Sequence, residues 1–166
     1  AIFDAVRVSL DEEIPVGAFA IAISRAIALL GDGHAQVREL ERLLPSGYLP
    51  FLLADSDQGV VAFEPDRSGF VDPERPYVRS IDGRPIDEWL ETVSGVVTVL
   101  SKEADRFRAL RRLRHLNYAR LELGEARTGE VRVELVAAKG NRPRTVMLPL
   151  GRSKPIYGPW PRRENG

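Results

Sequence analysis

The chain has 166 residues, 43% hydrophobic and 29% charged, with 24 basic and 24 acidic side chains and a formal net charge of zero. That balance provides no global field to gather nucleic acid or an anionic membrane, and the absence of cysteine removes disulfides, a thiol nucleophile and thiolate metal sites. No apolar run reaches the length of a membrane span; Ser24 and Arg25 interrupt the longest, Ile14 to Leu30.

The chain opens on Ala1 in mid-pattern, which points to a piece of a longer polypeptide. Ile2, Phe3, Val6 and Leu10 recur at helical spacing. After Pro15, suited to a first helical turn, Val16, Phe19, Ile23, Ile27 and Leu30 mark one face of a helix. Ala20, Ala22, Ala26 and Ala28 let that helix approach a neighbour closely. It is expected to end at Gly31-Asp32-Gly33, because glycine takes the positive φ that closes a helix, and His34 follows immediately. An imidazole held on such a turned backbone suits a general base, which must stay within hydrogen-bond reach of its proton donor.

Residues 35–44 permit a short helix or, through Val37, a strand leaving the turn, and Pro45-Ser46-Gly47 then breaks the chain. Tyr48–Ala54 and Gly59–Phe63 read as strands of a hairpin, and residues 65–76 as a loop. Tyr77, Val78 and Ile81 lead to a turn at Asp82-Gly83. Ile86, Trp89, Leu90, Val93, Val97 and Leu100 form a helical stripe, and residues 105–123 read as one further helix closed by Gly124. Val131, Val133 and Leu135 alternate with charged residues as in a half-buried strand, and Val146, Leu148 and Leu150 alternate on its return. Gly151–Gly166, with Pro155, Pro159 and Pro161, reads as a linker. The expected organisation is an α+β chain with a helical segment over residues 1–46, a β-rich domain of short strands with two helices over 47–150, and a linker over 151–166.

Other chemistry is sparse. Arg106, Arg108, Arg111, Arg112, Arg114 and Arg120 read as a solvated helix face or a contact for an acidic partner, since too few aromatics accompany them for nucleic acid. His34 and His115 are the two histidines and stand far apart, so no metal or other cofactor is expected. No serine has the glycine context of a nucleophile elbow.

Three stretches in order resemble the N-terminal part of the C-terminal-processing (tail-specific) serine peptidases and their tricorn-like relatives. They are Leu30-Gly31-Asp32-Gly33-His34-Ala35, then Leu49-Pro50-Phe51, then Val78-Arg79-Ser80-Ile81-Asp82-Gly83-Arg84-Pro85-Ile86. Glu74-Arg75-Pro76 stands where the family carries a Gly-Asp pair. The resemblance implies a PDZ-like domain over residues 47–150 and a catalytic domain, absent from this chain, that brings the serine. In the tricorn-like branch a histidine at the position of His34 is the general base; in the processing branch a serine–lysine dyad does the work. A polypeptide substrate is then expected to add as a strand beside Gly59, Val60, Val61, Ala62 and Phe63 and to pack on Ile86, Trp89 and Leu90. The other partner would be the protein's own catalytic domain, with homo-oligomers compatible and neither nucleic acid nor membrane insertion expected. Family habit favours an extracytoplasmic bacterial protein over a cytoplasmic one. A non-catalytic peptide-binding scaffold is the alternative.

Overall fold

A computed structural model describes residues 15–29, 40–94, 102–138 and 141–155. Helix α1, Val16–Ala28, starts where the Phe19 N–H reaches the Pro15 carbonyl at 3.1 Å and closes at Leu29. Ala20 and Ile21 are its buried residues. Gly17 lets it approach closely, since a Cβ there would stand 3.3 Å from the Leu43 carbonyl oxygen and 3.4 Å from Leu121 Cδ2. The turn anticipated at residues 30–33 and His34 itself lie outside the described residues. A single turn, α2 (Leu40–Leu43), precedes the β-rich part.

Six strands form one antiparallel sheet: β1 Leu52–Ser56, β2 Gly59–Phe63, β3 Tyr77–Ile81, β4 Arg84–Pro85, β5 Glu130–Val136 and β6 Arg144–Pro149. Their order is β1-β2-β3-β5-β6, with β4 added to β3 by a hairpin. That hairpin turns through Asp82 at φ 53 and Gly83 at φ 81. Two successive positive φ values make the type I′ turn whose twist matches the strands, and Asp-Gly is a preferred sequence for it. In β5 the expected alternation holds, with Val131, Val133 and Leu135 almost wholly buried.

Helices α3 (Ile86–Ser94), α4 (Lys102–Leu113) and α5 (Leu116–Glu122) complete the domain. The anticipated helix over 105–123 is therefore two helices. Its break has a tertiary cause: the Arg114 carbonyl, which a continuous helix would bond internally, accepts instead from the Leu49 N–H at 2.7 Å. His115 sits at the joint with φ −88 and ψ 74, its ring stacked on Tyr48 at 4.2 Å between centroids and its Nε2 2.6 Å from the Pro45 carbonyl oxygen. The core lies between the sheet and α3–α5, built on Trp89, Phe51, Leu49, Ile81, Leu113 and Leu116. Each such side chain contributes about 2 kcal/mol by leaving water. The start of the anticipated linker is pinned, because Gly151 and Tyr48 exchange backbone hydrogen bonds of 2.8 and 2.9 Å.

The result is a mixed α+β fold of PDZ-like size, an N-terminal helix followed by a compact sheet with helices. No helix among the described residues is long and apolar enough to cross a membrane.

Candidate functional site

The strand addition anticipated along Gly59–Phe63 finds no vacant edge there. β2 pairs with β1 through all five of its residues, from Leu52 with Phe63 to Ser56 with Gly59. On its other side Val61 pairs with Tyr77, the Ala62 N–H donates to the Pro76 carbonyl at 2.9 Å, and the Ala62 carbonyl accepts from Val71 at 3.0 Å. Ile86, Trp89 and Leu90 face the core, with Trp89 also edging a concavity at the β3–β4 turn. They are 7%, 0% and 4% exposed, and the Trp89 Nε1–H donates to the Ile81 carbonyl at 2.9 Å. The apolar stripe that suggested a pocket is core, because helical spacing reports which face is buried and not what buries it.

The terminal strands of the order are β1 and β6, and β1 is the one beside β2. Its hairpin register alternates, so Ala54 and Ser56 turn their backbone groups to β2 while Leu53 and Asp55 turn theirs outward. Helix α4 contacts β1. Two arginines of α4 and its C-terminal turn reach that strand. Arg106 Nε donates to Asp55 Oδ2 at 2.5 Å while its Nη1 reaches Asp87 Oδ1 on α3 at 3.2 Å. Arg114 Nη2 stands 3.5 Å from the Leu53 carbonyl oxygen. The bond to Asp55, against a smaller opposing effect of burial, raises the Arg106 pKa further, so this cation persists at any working pH. Exposed side-chain pairs of this kind are worth under about 1 kcal/mol.

The arginines expected on one solvated face thus divide by burial. Arg120 is 3% exposed and bonds Asp82, Asn117, Thr128 and the Glu130 carbonyl. The carboxylates Asp55 and Asp82 that Arg106 and Arg120 bond lie 51 and 38 residues away, so the sequence around the two arginines does not reveal those ion pairs. The concavity at the β3–β4 turn, of about 370 Å³, is lined by Asp82, Gly83, Arg84, Pro85, Glu88, Trp89 and Glu125. Its charges are spent internally, with Arg84 Nη2 2.6 Å from Glu125 and Nη1 3.7 Å from Glu88. Among the described residues no group of three His, Asp or Glu side chains is placed to hold a metal ion.

No family model and no curated protein matches this sequence. The solved structures that match its fold include two of CPAF, a Chlamydia protease. Mature CPAF aligns at 20% identity with a TM-score of 0.59, covering 90% of this chain and 28% of that one. A serine-to-alanine mutant of CPAF aligns at 20% identity with a TM-score of 0.65, covering 92% and 28%. The chain thus spans little more than a quarter of the length of these relatives in fold.

Proposed function

We propose that this chain is the N-terminal and PDZ-like, polypeptide-engaging portion of a serine endopeptidase whose nucleophile lies outside it. The observation that carries the reading is the fold shared with CPAF through nine-tenths of the chain. The order of the three sequence motifs supports the same reading independently. Extended polypeptide adds to the outer edge of β1, beside Arg106, with main-chain hydrogen bonds giving sequence-tolerant affinity.

In this reading His34 is the general base. It accepts the proton of the serine hydroxyl as the oxygen attacks the scissile carbonyl, then returns that proton to the departing amine. The test is His34→Ala in the full-length protein, with turnover of an unstructured polypeptide as the readout. A fall of about 10²–10⁴-fold is expected. Unchanged turnover would assign the enzyme to the serine–lysine branch, and a full-length protein with no hydrolysis at all would leave the scaffold reading in its place.

A further inference from the structure

Helix α1 joins the domain where buried polar groups go unpaired. On α5, both carboxylate oxygens of Glu122 and the hydroxyl of Tyr118 are sealed from solvent, and among the described residues they have no hydrogen bond of full geometry, only a weak contact with each other. Tyr118 is only 2% exposed. Buried polar groups are nearly always paired, so this cluster needs a reason.

The groups that face Glu122 come from three helices: Tyr118 on α5, Arg25 on α1 and Arg112 on α4. Neither guanidinium bonds the carboxylate. Arg25 Nη2 reaches the Glu122 main-chain oxygen at 3.4 Å, and Arg112 Nη1 stands 3.5 Å from the Val93 carbonyl, its guanidinium 5.9 Å from the Tyr118 ring centre. His115 lies behind Tyr118, 6.0 Å between rings, with its Nε2 occupied by Pro45. Elsewhere in the junction Gly17 comes close to Leu121.

We infer that the docking of α1 onto α5 is linked to a proton on Glu122, whose uptake tightens the helix and whose loss loosens it. An ionised carboxylate with both oxygens shut from water is costly. Protonated, the same group is neutral and gains an O–H that the Tyr118 oxygen can accept. Burial pushes the Glu122 carboxyl above its ordinary value, only partly offset by Tyr118, Arg25 and Arg112. The sign follows: a carboxyl raised in the docked state adds stability that is complete at low pH and is lost as pH rises through the docked value. Undocking restores water to the ionised group. The inference is independent of the peptidase reading.

Amide hydrogen exchange of the whole chain tests this, corrected for intrinsic rates between about pH 5 and pH 8. In the wild type, protection in α1 should fall several-fold more than protection in β5 as pH rises. In Glu122→Gln, which copies the size and neutrality of the protonated acid, α1 should stay protected throughout. Arg25→Met, which removes the α1 charge that favours ionised Glu122, should steepen the loss. The inference is overturned by α1 protection that follows β5 in the wild type, by wild-type pH dependence in Glu122→Gln, or by a Glu122→Gln chain that does not fold.

Discussion

Arg120 and Asp82 meet through two hydrogen bonds on one oxygen, Nε at 3.1 Å and Nη2 at 2.6 Å from Asp82 Oδ2. The other carboxylate oxygen accepts the Arg132 N–H at 3.0 Å. One ion pair therefore fastens α5 to the β3–β4 turn and to β5. The Arg120 side chain is 4% exposed and that of Asp82 25%, so the pair is largely but not wholly withdrawn from water.

Removing the cation alone should be costly, because Asp82 keeps its charge in a desolvated place. Arg120→Met is expected to lower unfolding free energy by about 3 kcal/mol in urea titrations. Adding Asp82→Asn should recover part of that loss, since asparagine tolerates the left-handed φ at that position and leaves no unpaired charge. Full additivity of the two substitutions would show that the pair is not coupled.

Gly47 should be irreplaceable. It adopts φ +139, and a Cβ there would stand 2.1 Å from Asn117 Nδ2 and 2.8 Å from Asn117 Cβ. Asn117 cannot swing aside, because its Nδ2 donates to the Ser46 and Thr128 carbonyls at 2.7 and 3.1 Å. Gly47→Ala is expected to cost about 2–4 kcal/mol, measured by thermal or urea unfolding.

Arg106 should govern access to the outer edge of β1. Arg106→Gln removes the charge that spans Asp55 and Asp87 while costing under about 1 kcal/mol of stability. Titrating extended peptides should shift the amide resonances of Leu53 and Asp55 and leave those of Gly59–Phe63 nearly unmoved, with several-fold tighter binding in the variant. Shifts centred on β2, or weaker binding in Arg106→Gln, would contradict the proposed edge.

Asp72 should contribute acid sensitivity. Burial alone would raise its carboxyl, but the bond from Arg144, the N–H groups of Glu74 and Arg75, and the Arg75 charge together hold it below the ordinary value. A depressed carboxyl stabilises above its unfolded pKa and loses that contribution as pH falls through the folded one. The stability advantage of the wild type over Asp72→Asn should therefore be full near neutrality and shrink below about pH 4 in thermal melts. A difference that persists unchanged into acid would mean that Asp72 acts by shape and not by charge.

Much of this fold is written locally. The Asp-Gly turn and the alternation in β5 were legible because each follows from a residue's own backbone preference or from a period of two; the face of α1 was not, since Ala20 and Ile21 are buried while Val16 and Phe19 of the expected stripe are exposed. The candidate site was not. Alternation in Gly59–Phe63 reveals which side chains turn inward, but whether the strand's backbone edge is open depends on strand order, and that order places β2 between β1 and β3. Likewise the stripe of Ile86, Trp89 and Leu90 announces burial without naming its cover.

By itself the sequence determined an α+β chain of short strands, the positions of its turns and the neutral charge that excludes global attraction to polyanions. Tertiary structure decided which strands end the sheet, where the arginines of α4 and α5 spend their charge, and why the helix breaks at Arg114. These outcomes depend on groups distant along the chain, as when Leu49 takes the carbonyl that helix propagation would have used. A local period carries no record of such a competitor, because the energy that settles the contest arises only once the two segments touch.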